Sequence, residues 1–78
     1  MIIISQDKTK IIKFKEVEEI VVKENDVCVI FKSGRTSVIG TYNKPETAIK
    51  ILKVLANSIG DKNLFVFGNE SSNVYEMP

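Results

Sequence analysis

Apolar residues recur in short β-type runs as far as Tyr42 and at helical spacing beyond it. Ile2–Ile4 is β-branched and is followed by Ser5-Gln6-Asp7-Lys8-Thr9, a polar cluster of turn-forming residues. This predicts a hairpin with a returning strand over Ile11–Phe14, closed by the charged Lys15-Glu16. Val17–Val22 predicts a third strand, solvated at its start by Glu18 and Glu19. Asn25-Asp26 then signals a second hairpin, because both residues tolerate left-handed backbone. Val27–Phe31 is wholly apolar between Asn25-Asp26 and Ser33-Gly34 and reads as a buried strand. Arg35–Tyr42 continues as another, with Val38, Gly40 and Tyr42 on one face and Ser37, Ile39 and Thr41 on the other.

The period changes at Asn43. Asn43-Lys44-Pro45-Glu46 predicts an Asn43 N-cap, with Pro45 in the first turn and Glu46 reaching back to the cap amide. Ala48, Ile51, Leu52, Leu55 and Ile59 follow on one face, opposite Glu46, Lys50, Lys53 and Asn57. A helix over about 44–59 is expected, with Leu52 and Leu55 at the centre of its buried stripe and Gly60 as its stop. Leu64–Phe67 reads as a short strand, 68–73 as a loop and Val74–Met77 as an edge strand before Pro78. The expected fold is therefore α+β: one domain over 1–78, an antiparallel β-meander of about five to six strands packed on one α-helix near the C-terminal third.

Composition narrows the function. At 78 residues and 44% hydrophobic, the chain suits one small folded domain. Eleven Lys and Arg against ten Asp and Glu leave a net charge of +1, which supplies no global field for nucleic acid or membrane. Cys28 is the only cysteine, so no internal disulfide can form, and a reducing cytoplasm is the expected setting. Ile2–Ile4 is too short a run for a signal peptide or a membrane span.

The chain has no histidine, which removes the commonest general base and zinc ligand. No catalytic residue, metal ligand or cofactor is expected. Glu18 and Glu19 would face opposite sides of a strand, and Cys28 reads as a small core residue, having no adjacent cation to activate its thiol. Of the four glycines only Gly40 lacks a turn, loop or cap to explain it, and it marks a bulge or a close backbone approach.

Ile3-Ile4-Ser5-Gln6-Asp7, then Lys10-Ile11-Ile12, then Gly40-Thr41-Tyr42 before the helix and Tyr75-Glu76-Met77-Pro78 at the end resemble a group of small uncharacterised phage and prophage proteins of Gram-positive bacteria. In that group the residue after the aspartate is often glycine, where this chain has Lys8. The resemblance carries no catalytic residues. It implies a small protein that acts stoichiometrically on a host factor.

The leading expectation is thus a non-catalytic phage or mobile-element binding protein with a protein partner, such as an inhibitor of a CRISPR effector or another bacterial immune protein. Asn69, Ser71, Ser72, Asn73 and Tyr75 are its candidate contact residues, since tyrosine and small polar side chains make adaptable contacts. The same residues fit a solvated loop. One alternative is a phage accessory protein that binds nucleic acid through Lys8, Lys10, Lys13, Lys15, Lys50 and Lys53. Another is an oligomer that sequesters a nucleotide signal. Apolar runs such as Ile20-Val21-Val22 and Val27–Phe31 load both faces of the strands, which one helix cannot cover. A homodimer is expected, with a curled sheet as the other way to hide the second face.

Overall fold

The computed structural model describes residues 1–62 and 74–78. The elements run β1 (Ile2–Ile4), β2 (Ile11–Lys13), a 3₁₀ turn (Phe14–Glu16), β3 (Val17–Lys23), β4 (Asp26–Phe31), β5 (Thr36–Thr41), α1 (Pro45–Lys62) and β6 (Val74–Glu76). The α+β class is as expected. The six strands divide between two sheets, ordered β2-β1-β6 and β3-β4-β5. Only the second is a pure meander, because β6 pairs parallel to β1, with Ile3 opposite Tyr75. A sheet-to-sheet step occurs at the 3₁₀ turn, where the Phe14 amide donates to the Met1 carbonyl and the Lys32 amide to that of Glu16. The expected strand over Leu64–Phe67 and the loop after it lie outside the described residues.

Local chemistry explains each reversal. In the β1–β2 turn Asp7 Oδ1 accepts from the Ser5 hydroxyl (2.7 Å) and from the Thr9 amide and hydroxyl (3.0 and 2.7 Å). Those three bonds hold Lys8 at φ 66°, where a glycine would cost less. At the β3–β4 turn it is Glu24, the first loop residue, that takes positive φ (57°), rather than Asn25 or Asp26. That choice fits a two-residue loop with Lys23 opposite Asp26, in which the first central residue carries the twist. The β4–β5 loop is a three-residue connection with Gly34 at φ 97°; the Gly34 amide donates to the Phe31 carbonyl and the Phe31 amide to that of Arg35.

Two bulges break the expected alternation. One sits at Glu18, between the Val17–Phe31 and Glu19–Ile30 pairs, and leaves Glu18 and Glu19 both exposed. The other skips Ile39, between the Val27–Gly40 and Cys28–Val38 pairs, so Ile39 and Gly40 are both buried. A Cβ on Gly40 would stand 2.7 Å from Tyr42 Oη and 2.9 Å from its ring, so a larger residue there would have to displace the Tyr42 ring, whose hydroxyl donates to the Pro78 carbonyl.

The core joins both sheets and the helix: Ile3, Ile12, Val17, Val27, Val29, Ile39, Ala48, Leu55 and Met77 are buried together. The inner face of β3-β4-β5 is therefore shared between α1 and the smaller sheet. On its outer face Cys28 stands in register between Val21 and Val38. Cys28 is buried, and desolvation raises its thiol pKa, as for an inert core cysteine.

Three expectations about the helix change. Pro45 opens α1, and the Lys44 carbonyl accepts from the Ala48 amide (3.3 Å), so Lys44 is the N-cap and Asn43 precedes it. Proline is preorganised for the first helical position and disfavours helical backbone in the residue before it, which moves the cap one residue along. Leu55 is fully buried, but Leu52 is only partly so and stands outside the core cluster, whereas Ile51 and Ile59, also partly buried, pack against it. The helix also runs through Gly60 to Lys62, a glycine inside a helix being a tolerable cost of about 1 kcal/mol. No described helix is long and apolar enough to cross a membrane.

Candidate functional site

Two strings far apart in sequence meet where the sheets join. The Gln6 amide donates to the Ile39 carbonyl (2.8 Å), and Gln6 Oε1 accepts from the Thr41 amide (2.8 Å). Gln6 thereby caps the stretch of β5 edge that the Ile39 bulge has turned outward. The C-terminal residues close the same junction. The Met77 amide donates to the Ile4 carbonyl, the Tyr42 hydroxyl to the Pro78 carbonyl (3.0 Å), and Lys8 Nζ pairs with Glu76 at 2.8 Å. Ser5, 1% exposed, accepts from the Lys10 amide through its hydroxyl oxygen.

This junction is satisfied internally and acts as a clasp. Hydrogen bonds from the Thr9 hydroxyl, the Ser5 hydroxyl and the Thr9 amide lower the Asp7 pKa to about 2, while its Lys8 partner and charge lower that of Glu76. Tyr42 and Tyr75 pack against the core, and burial raises both phenol pKa values.

Unsatisfied chemistry lies next to the clasp. An open cleft of about 440 Å³ separates β2 from the β4–β5 end and is lined by Lys10, Ile11, Ile12, Phe31, Arg35, Thr36 and Ser37. Phe31 and Arg35 also border a second depression of about 270 Å³ with Lys15, Glu16, Lys32 and Ser33. Lys10, Lys15, Lys32 and Arg35 thus border a concave face made of two depressions that meet at Phe31 and Arg35, with Glu16 the single acid among its described lining residues. None of these cations has an ion-pair partner among the described residues. The Arg35 guanidinium lies over the Phe31 ring, 5.6 Å from its centroid, and Ile11 in the cleft wall is 70% exposed.

Of the contact residues expected from the sequence, Asn69, Ser71, Ser72 and Asn73 lie outside the described residues, and Tyr75 is half-buried in β6 against the core. Of the lysine set, Lys10 and Lys15 reach the concave face, Lys8 is paired with Glu76, Lys13 is exposed on β2, and Lys50 and Lys53 stand on the helix in neither depression. Sequence reasoning missed Lys32, Arg35 and Phe31. Their signal was the Phe31-Lys32-Ser33-Gly34-Arg35 string itself, since a three-residue hairpin loop sets its flanking residues opposite each other.

No family model, curated protein or solved structure matches this chain.

Proposed function

We propose that this chain is a non-catalytic binding protein that engages a protein partner through the Phe31–Arg35 face. The observation that supports this most directly is the gathering of Lys10, Lys15, Lys32 and Arg35, without ion-pair partners among the described residues, around apolar Phe31 and Ile11 in two adjoining depressions. Arginine and aromatic side chains are enriched at protein-binding surfaces, and the surrounding lysines select a partner of complementary charge. A phage or mobile-element origin, and a role in blocking a bacterial immune protein such as a CRISPR effector, follow from the sequence resemblance and belong to the same proposal. So does the placement in the host cytoplasm.

A second reading keeps the same face but gives it nucleic acid, since Lys10 and Lys15 come together there with Lys32 and Arg35. It is the weaker one because the Phe31 ring is already covered by Arg35 and offers no open platform for a base.

Cross-linking mass spectrometry of the tagged protein with its captured partner, beside the Arg35→Glu variant, tests the proposal. The expected result is a protein cross-linked through Lys10, Lys15 or Lys32 and lost with the variant. Capture untouched by Arg35→Glu, or a nucleic acid whose binding falls steeply with salt, refutes it.

A further inference from the structure

The occupant of the cleft can be specified from the β5 edge that borders it. Phe31 and Arg35 form a hydrogen-bonded pair, and such pairs alternate along an antiparallel ladder. Ser37 therefore bonds to Val29, while the amides and carbonyls of Thr36 and Val38 point away from β4. Farther along, past the bulge, the same edge presents the Ile39 carbonyl and the Thr41 amide, and there Gln6 has taken both. The edge is half occupied by the protein's own chain. Its other half, Thr36 to Val38, has no main-chain partner among the described residues and runs beside the cleft.

We propose that an extended acidic peptide segment of the partner adds as a strand to β5 at Thr36–Val38, with alternate side chains entering the cleft between β5 and β2. This rests on the binding-protein reading above and names its ligand class. Backbone groups of Thr36 and Val38 supply the register, as in other strand-addition interfaces. Side chains on the inner face of the new strand meet Lys10 and Arg35, so carboxylates at alternate positions match the charge. Residues between them point to the opposite face of the sheet, beside half-exposed Val38, where apolar side chains fit. Asp7 at the Gln6 end of the edge opposes acidic residues there, which confines the segment to the Arg35 end.

The test uses the full chain and a fluorescent peptide of about ten residues alternating glutamate with valine, read by anisotropy and by hydrogen exchange. Three comparison probes accompany it: its lysine counterpart, the acidic peptide N-methylated at alternate amides, and an oligothymidylate of equal charge. The acidic peptide is expected to bind and to slow exchange at the Thr36 and Val38 amides. N-methylation on the face that pairs with β5 and the Arg35→Glu variant are each expected to weaken binding by at least about tenfold, and the lysine peptide not to bind. The N-methylated probe is used with unaltered protein, so the result does not depend on a variant's folding.

Equal binding of the N-methylated peptide, or slowed exchange elsewhere than β5, overturns strand addition. Binding of oligothymidylate as strong as that of the peptide overturns it in favour of nucleic acid. Capture of a protein partner that is lost with Arg35→Glu but not displaced by the peptide overturns this inference while the binding-protein reading stands.

Discussion

Replacing Leu55 with alanine probes the point where α1 meets the sheets. Leu55 is fully buried among Val27, Val29, Ile39 and Ala48 in the core cluster. The substitution removes three carbons, about 2.4 kcal/mol of transfer free energy at roughly 0.8 kcal/mol each, and adds a cavity penalty. A total of about 3 kcal/mol is expected, within the range of roughly 2 to 5 kcal/mol typical of such changes. For a chain of 78 residues, with total stability on the order of 4–12 kcal/mol, that is a large share. It corresponds to a fall in Tm of roughly 12–24 °C. Leu52→Ala, three positions earlier, is expected to cost only about 1 kcal/mol, because Leu52 is partly exposed and outside the core cluster. Urea titrations followed by circular dichroism at one fixed protein concentration measure both. A cost below about 1 kcal/mol for Leu55→Ala would refute the packing argument, as would a Leu52→Ala cost equal to it.

Asn43→Ala is expected to change stability by less than about 0.5 kcal/mol, since Lys44 and not Asn43 caps the helix; a loss near 1 kcal/mol in the same titration restores Asn43 as the cap. The Asp7 carboxylate titrates lower in the folded chain (about 2) than in the unfolded one, so its stabilisation is present above the unfolded value near pH 4 and is lost as pH falls towards 2. Melting curves across that window should fall more steeply for the parent than for Asp7→Asn, and parallel curves would show that the turn bonds do not distinguish the charged form. Self-association through the outer face of β3-β4-β5, where Val21, Cys28, Ile30 and Val38 lie together, is expected to give a dimer mass in sedimentation equilibrium at micromolar concentration. Val38→Lys should return it to monomer, and a parent mass independent of concentration excludes the dimer.

The positions of strands and helix were legible in the chain because they depend on local pattern. Ile2–Ile4, Val27–Phe31 and the Ala48–Leu55 spacing each bury their residues within an element whose period the sequence displays. Gly34 and Gly40 could likewise be read as a turn and a bulge, since each answers a steric demand made by its own neighbourhood. The cap could have been read too: the restriction that Pro45 places on Lys44 is local, and overlooking it moved the cap to Asn43. What only the tertiary structure decided is which elements meet. Hydrophobic pattern cannot say that β6 pairs parallel to β1, because parallel partners are chosen by how the intervening helix packs. Nor can it say that Gln6 reaches Ile39 and Thr41, or that Lys10, Lys15, Lys32 and Arg35 border two depressions that meet at Phe31. Those juxtapositions join residues remote in sequence, 35 positions apart for Gln6 and Thr41 and 72 for Ile3 and Tyr75, and they arise from the stacking of two sheets over one core, which no window of local sequence encodes.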